Sequence, residues 1–181
     1  MRQEACMTLL HTLTHPGARP GGTLFERQAV RAVIMRASAI LLLYTRRYDD
    51  YSFPGGGLSP GEDPVSGLRR ELIEETGAAN VSIEGYLGYL DEYRPPLKGG
   101  DDTLFMRSHF YLCCVEGELG EASPEAYELA NGMVPRWIGI DAAIEHNRQV
   151  LGARPASMGS SIERETWMLA YVADQVALQG R

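Results

Sequence analysis

The chain has 181 residues, 44% hydrophobic and 23% charged, which is long enough for one well-buried core and too short for two ordinary domains. Its net charge of −7 argues against a broad nucleic-acid surface, which needs a basic patch, so we expect no nucleic-acid polymer as a partner. The longest apolar run, 39–44, is far below the ~20 residues that span a bilayer, so we expect no membrane partner either.

The cysteines and the N-terminus indicate a reducing compartment. The first ten residues, MRQEACMTLL, lack the apolar stretch and cleavage site of a signal peptide. Cys113 and Cys114 are adjacent in a predicted strand, where neighbouring side chains point to opposite faces and cannot pair. Together with Cys6 the chain has three cysteines, an odd number, and their spacing is not that of metal ligands. We therefore expect reduced thiols in a cytoplasmic protein.

Strand signals dominate the first half of the chain. Residues 1–28 are interpreted as an N-terminal extension, with a weak strand signal at 8–13 and a Pro/Gly loop at 15–22. Two aliphatic segments, 29–35 and 39–45, predict successive strands. Residues 46–51 are interpreted as a polar turn.

The second half mixes strands with helices. We predict strands at 81–90, 104–115 and 134–140, a Pro/Gly loop at 91–103 and an acidic loop at 116–132 that contains a short helix. Asp141 is the expected cap of a helix to about residue 148. In the C-terminal helix region, 150–181, Ser160 and Glu163 form the expected capping box of the last helix. The order predicts one α+β domain over 1–181, with a mixed sheet covered on both faces.

Between the strands of the first half and those of the second lies the stretch GGLSPGEDPVSGLRRELIEETGA, residues 56–78. Asp63 is a natural N-cap, and Pro64 suits the first turn because its missing N–H would be unpaired there. Gly77 is a natural helix stop. The helix so bounded, 64–76, carries three carboxylates on one face, those of Glu71, Glu74 and Glu75. Like charges at this spacing repel, and a hard divalent cation with oxygen ligands would offset the repulsion.

The spacing of this stretch resembles the Nudix box. Gly56 is followed after five residues by Glu62, after seven more by Arg70-Glu71-Leu72, and then by Glu74-Glu75 and Gly77, so every fixed position is filled. The resemblance implies an α/β/α sandwich and a catalytic site whose Mg²⁺, with Mn²⁺ as a substitute, is bound by Glu71, Glu74, Glu75 and the Gly55 carbonyl. The resemblance also implies that Arg70 pairs with Glu62 and so holds the loop against the helix.

The general base is less defined by the box. Related enzymes use either a box glutamate or one in a later loop ahead of a tryptophan-containing strand. We favour Glu128, ahead of Trp137, over Glu125 and Glu121, and Glu71 is the first alternative within the box.

Candidates for substrate recognition are spread along the chain. Arg46 and Arg107 are the preferred phosphate contacts, with Arg47, Arg94 and Lys98 as further candidates. Several aromatic residues of the strands could stack on a base or belong to the core: Tyr44, Tyr48, Tyr51, Tyr89, Tyr93 and Phe105. Two isolated histidines, His109 and His146, are interpreted as structural.

The sequence therefore predicts a metal-dependent pyrophosphohydrolase that cleaves a phosphoanhydride in a small nucleoside diphosphate derivative, of the ADP-ribose or nucleotide-sugar type. Oxidised nucleoside triphosphates, dinucleoside polyphosphates and NADH remain alternative substrates, because the box specifies only the pyrophosphate. A second hypothesis is a nucleotide-sensing domain without turnover, which the three intact glutamates disfavour. The sequence leaves a homodimer open.

Overall fold

The computed structural model describes residues 7–95 and 103–179. Its strands are β1 (Leu9–Thr14), β2 (Leu24–Arg36), β3 (Ala39–Thr45), β4 (Asp50–Ser52), β5 (Asn80–Arg94), β6 (Thr103–Glu116) and β7 (Met133–Gly139). Its helices are α1 (Pro64–Thr76), α2 (Ala126–Asn131), α3 (Ile140–Ala153) and α4 (Ile162–Gln179). Lys98 and Cys6 lie outside the described residues.

The strands form one mixed sheet in the order β1-β5-β6-β2-β3-β4, with β7 paired to β3. The pairs β1–β5 and β2–β6 are parallel, and the other pairs are antiparallel. The long strand β2 joins the two halves of the sheet, because it pairs with β6 along Leu24–Ile34 and with β3 through Met35 and Arg36.

Two apolar clusters cover the two faces of this sheet. Alternate residues of β2, among them Val30 and Ala32, pack with Leu68 and Leu72 of α1. Val33, one step along the strand, belongs to the opposite cluster with residues of α3 and α4. The α+β architecture with a mixed sheet and helices on both faces is therefore confirmed.

Several sequence-based boundaries need correction. Part of the expected N-terminal extension belongs to the sheet, since β1 pairs with β5 and β2 begins at Leu24 rather than at residue 29. Residues Asp50–Ser52, expected to end a turn, form the short strand β4 against β3. The strand β5 continues to Arg94 because β6 pairs with it over its whole length, so the expected loop from 91 is shorter.

The two predicted helix caps are also displaced. Gly139 is the N-cap of α3, which places Asp141 in the first turn instead of at the cap. The helix α4 begins at Ile162, two residues after Ser160, and the Ser160 hydroxyl instead accepts a hydrogen bond from Arg94 at 2.8 Å. The expected Ser160–Glu163 capping box is therefore wrong.

The thiols of Cys113 and Cys114 are both free, as predicted. Among the described residues, no helix combines the length and the apolar character needed to cross a membrane.

Candidate active site

The box helix α1 is bounded by local interactions that the sequence predicted. The Asp63 carboxylate accepts a hydrogen bond from the Ser66 N–H at 2.9 Å, and Pro64 occupies the first turn. At the other end Gly77 has φ 69°, in the left-handed region, and its N–H donates to the Ile73 carbonyl. Leu68 and Leu72 are fully buried on the sheet side of the helix, and Glu75 is the one of the three box glutamates that is buried with them.

Arg70 connects the loop before α1 to the helix itself. Its Nε and Nη2 donate to the two Glu62 oxygens at 3.0 and 3.2 Å, and this bidentate pair connects the loop to the helix. Its Nη1 donates to Glu71 at 2.8 Å and to Glu74 at 3.1 Å. These carboxylates raise the pKa of Arg70, with the Glu62 hydrogen bond as the largest cause.

The glycine loop lies directly against strand β2. The Val30 N–H donates to the Gly56 carbonyl at 2.9 Å, and the Ala32 N–H donates to the Pro54 carbonyl at 2.8 Å. Gly55 has φ 128°, and a Cβ there would lie 2.1 Å from the Val30 carbonyl oxygen, so only glycine fits. A Cβ on Gly56 would lie 2.4 Å from a carboxylate oxygen of Glu71. The loop can therefore approach both the strand and the carboxylates.

Glu75 is anchored to this loop. Its Oε2 accepts a hydrogen bond from the Gly55 N–H at 2.6 Å, and the residue is 5% exposed. Burial raises the pKa of Glu75 well above its usual value, and the Glu71 and Glu128 carboxylates add to the shift, while Arg31 and the Gly55 N–H oppose it. Burial also raises the pKa of Glu71, against the effect of Arg70. Burial therefore favours the neutral form of both carboxyl groups.

A cleft of about 410 Å³ lies beside the glycine loop. It brings together the predicted residues Gly55, Gly56, Glu71, Glu75 and Glu128. Its lining also includes residues of β2, β3, β4, β7, α2 and α4 and of the loops next to them: Arg31, Leu43, Thr45, Tyr48, Asp50, Ser52, Gly57, Glu125, Tyr127, Asn131, Met133, Ser161, Arg164 and Glu165. Glu74, predicted to join the other two glutamates, is outside this lining and pairs with Arg70.

The short helix α2 presents Glu128 to the cleft. Glu128 is 6% exposed, and its two oxygens accept hydrogen bonds from the Glu125 N–H at 2.8 Å and from the Tyr127 hydroxyl at 2.9 Å. Glu128 and Glu75 both line the cleft, and the Glu128 carboxylate adds to the raised pKa of Glu75. Of the three candidates for the base, Glu128 and Glu125 line the cleft and Glu121 is not part of its lining.

Sequence reasoning missed the side of the cleft formed by Asp50 of β4 and by Arg164 and Glu165 of α4, which we call its far wall. Glu165 Oε2 accepts a hydrogen bond from the Phe53 N–H at 3.0 Å, while its other oxygen pairs with Arg164. Asp50 is 3% exposed, and burial raises its pKa to about 7, with Glu165 adding to the shift. These residues lie on separate elements without a shared motif, so no spacing in the sequence could have identified them.

A buried ion-pair network supports this wall. Arg164 Nη1 and Arg94 Nη2 both donate to Glu92 Oε2, at 2.9 and 2.8 Å, and His15 Nε2 lies 2.7 Å from Glu92 Oε1. Burial alone would raise the pKa of Glu92, but the Arg164 and Arg94 guanidinium groups hold it below its usual range. The network fixes the start of α4 against β5.

The expected phosphate-binding arginines are not brought into the cleft. Arg107 forms a bidentate pair with Asp91 at 2.7 and 2.9 Å, so the expected contact finds no support in its position. Arg46 packs against Gly132, and Arg47 donates to Asn131 at 3.0 Å. Arg94 belongs to the network around Glu92.

The two histidines have structural partners, as expected. His109 lies 2.8 Å from the Tyr86 hydroxyl and 3.2 Å from Gln28, and His146 lies 2.8 Å from the Asp49 carbonyl.

The donor set fits a hard divalent cation. In residues 7–95 and 103–179, no group of three or more His, Cys, Asp or Glu side chains has the proximity that an ion requires. The carboxylates have other partners in this structure, since Arg70 donates to Glu71 and Glu74 and the Gly55 N–H donates to Glu75. Glu71 and Glu75 nevertheless place carboxylate oxygens next to a glycine backbone, and these are the donors that Mg²⁺ prefers.

Comparison with known proteins agrees with this arrangement. A family model described as the NUDIX domain matches residues 26–158. The chain is 42% identical over 45 residues to an RNA pyrophosphohydrolase of Proteus mirabilis, and 50% identical over 38 residues to one of Yersinia enterocolitica. These matches cover 24% and 20% of this chain, and the chain spans about a quarter of the length of the curated relatives it matches.

Solved structures show the same fold. A NUDIX hydrolase from Nitrosomonas europaea aligns with a TM-score of 0.52 and 18% identity, over 82% of this chain and 90% of that one. The mutator MutT protein from Bacillus halodurans aligns with a TM-score of 0.53 and 18% identity, over 81% of each chain.

Proposed function

Since this chain belongs to the Nudix family, we propose that it is a metal-dependent pyrophosphohydrolase that cleaves a phosphoanhydride bond in a small nucleoside diphosphate derivative, such as ADP-ribose or a nucleotide sugar. The observation that carries the proposal is the convergence of Glu71, Glu75 and Glu128 on the glycine loop in one cleft. An acidic surface helix without function would not need a second acidic side chain brought from α2.

Glu71 and Glu75, with Glu74 and the Gly55 carbonyl as the further ligands expected from the box, would hold Mg²⁺ or Mn²⁺. When bound, the ion supplies positive charge that polarises a phosphoryl oxygen and offsets the negative charge of the substrate. The raised pKa of Glu75 supports this assignment, because a buried carboxylate without a sufficient counter-charge is stabilised by a cation.

Glu128 is proposed as the general base. Its carboxylate takes a proton from the attacking water, whose oxygen forms a bond to phosphorus while the bond from phosphorus to the bridging oxygen breaks. The Tyr127 hydroxyl and the Glu125 N–H orient the carboxylate. The Arg70–Glu62 pair holds the loop, so that the glycine backbone stays next to the substrate phosphates.

Charge and cleft size support a small substrate. A cleft of about 410 Å³ is in the range of small-ligand pockets, and the net charge of −7 disfavours a polymer that must be held along its phosphates. The curated relatives named RNA pyrophosphohydrolases make the 5′ end of an RNA the second candidate. Both candidates share the pyrophosphate and differ in the group attached to it.

A substrate panel tests the proposal. Phosphate-containing products would be measured with and without Mg²⁺ for ADP-ribose, a UDP-sugar, NADH, a dinucleoside polyphosphate, an oxidised nucleoside triphosphate and a 5′-triphosphorylated RNA. We expect Mg²⁺-dependent turnover that is highest for ADP-ribose or the UDP-sugar. If the RNA is the preferred substrate, the proposed class of small nucleoside diphosphate derivatives is wrong. If no member of the panel is turned over, a nucleotide-sensing domain is favoured. A Glu84→Gln variant, changed at an exposed residue of β5, is the matched control for the glutamate substitutions described in the Discussion.

A further inference from the structure

Arg31, on strand β2, lines the cleft and carries an unsatisfied hydrogen-bond donor among the residues that the structure describes. Its Nε is buried and has no hydrogen-bond partner. Arginine remains charged at any physiological pH, so this is a partly buried positive charge with an open donor at Nε.

The backbone fixes where Arg31 stands. Hydrogen bonds from the residues on either side of it, Val30 and Ala32, connect β2 to the glycine loop. A Cβ on Gly55 would lie 3.0 Å from the Arg31 Cα, so the strand and the loop are in direct contact there. Because Val30 and Ala32 face α1, the Arg31 side chain lies on the other face of β2, where it lines the cleft.

The neighbouring arginine of the cleft shows what a structural role would look like. Arg164 is fully engaged, because Nη1 donates to Glu92 at 2.9 Å and Nε donates to Glu165 at 3.1 Å. For Arg31, Glu165, Glu75 and Glu71 are close enough to affect its pKa, but its Nε has no partner among the described residues. A stabilising role in the fold would therefore leave this donor unexplained.

We propose that Arg31 binds non-bridging phosphate oxygens of the substrate in the cleft that it lines together with Glu71 and Glu75. The inference rests on the proposed function and adds a substrate-binding residue to it. A guanidinium offers parallel N–H donors that match two phosphate oxygens, and a partly desolvated pair of this kind is strong. With Glu71 and Glu75 occupied by a cation, Arg31 has the substrate anion as its partner.

The test measures binding of methylenediphosphonate, a non-hydrolysable pyrophosphate analogue, by calorimetry in the presence of Mg²⁺. The variants are Arg31→Met and Arg31→Lys, with Arg148→Met as the control that removes an equal charge from the exposed side of α3. We expect about a 10- to 150-fold loss of affinity for Arg31→Met, as for removal of a charged hydrogen bond. Arg31→Lys should lose less affinity for the analogue than Arg31→Met, since lysine keeps the charge but not the paired N–H donors.

Two further measurements separate substrate binding from a structural role. The affinity for Mn²⁺ alone, followed by electron paramagnetic resonance, should be unchanged or higher in Arg31→Met, because a neighbouring positive charge is removed. The Tm should be unchanged or higher, because a partly buried charge with an open donor is removed.

Unchanged affinity for the analogue in both Arg31 variants would overturn the inference, as would a parallel loss of Mn²⁺ affinity or a lowered Tm in both. None of these readouts needs turnover. Failure of the inference is thus distinct from failure of the proposed function, which the substrate panel reports on the wild-type protein.

Discussion

Replacement of Glu75 by glutamine removes one charge from the cleft and preserves its shape. The Glu75 Oε2 atom accepts the Gly55 N–H at 2.6 Å, and the amide oxygen of glutamine can accept the same hydrogen bond. The glycine loop should therefore stay in place. The lost charge is the one that would face the metal and the developing charge of the transition state, and loss of one such contact typically lowers the rate by about 10²–10³, or about 2.7–4 kcal/mol.

The same substitution should stabilise the metal-free protein in a pH-dependent way. The pKa of Glu75 is raised in the folded state, so its favourable contribution is complete below the ordinary value of 4.5 and is lost as the pH rises through the folded-state pKa. Glutamine does not titrate. In EDTA, we expect the Tm of Glu75→Gln minus that of the wild type to increase from pH 5 to pH 8.

The assay is turnover of the best substrate of the panel at saturating Mg²⁺, beside thermal unfolding in EDTA, with Glu84→Gln as control. The reasoning would be refuted if Glu75→Gln kept more than about a tenth of wild-type activity. A variant that lost activity together with its fold at pH 7 would refute the argument that glutamine preserves the loop.

Three other changes probe the remaining parts of the site. Glu128→Gln should lower kcat by ~10²–10⁴ with almost unchanged metal affinity, measured by steady-state kinetics and Mn²⁺ titration, since a base touches the water and not the ion. Asp50→Asn should abolish a loss of metal-free stability between pH 4 and about 7, which for a shift from 3.8 to about 7 is on the order of 4 kcal/mol in urea unfolding. Gly55→Ala should destabilise the fold by about 2–4 kcal/mol, because its Cβ would lie 2.1 Å from the Val30 carbonyl oxygen.

Each of these has an outcome that contradicts it. Equal and mild effects of Glu121, Glu125 and Glu128 substitutions would move the base into the box, with Glu71 first to test. An unchanged pH profile in Asp50→Asn would show that Asp50 keeps its ordinary pKa. Gly57→Ala is the control for Gly55→Ala, because a Cβ there meets only the Gln28 carbonyl oxygen at 4.0 Å; equal stability of the two variants would contradict the steric argument.

The box helix and its supports were determined by the sequence itself. The caps at Asp63 and Gly77 are local, since each depends on residues within four positions along the chain. The Glu62–Arg70 pair spans eight residues of one loop–helix unit, a distance at which spacing still specifies a contact. The α+β composition followed from segments whose periodicity is equally local.

The far wall of the cleft was decided only by tertiary structure. Arg31 meets Arg164 and Glu165 because β2, β4 and α4 come together across more than a hundred residues of sequence, and no periodicity encodes such a pairing. The position of Glu74, pointing to Arg70 and not into the cleft, also depends on the surroundings, because three carboxylates on one helix face are equivalent until a loop packs beside them. The local sequence of the box therefore determined which carboxylates the helix carries, whereas the long-range packing of β2 and α4 placed Arg31 in the same cleft.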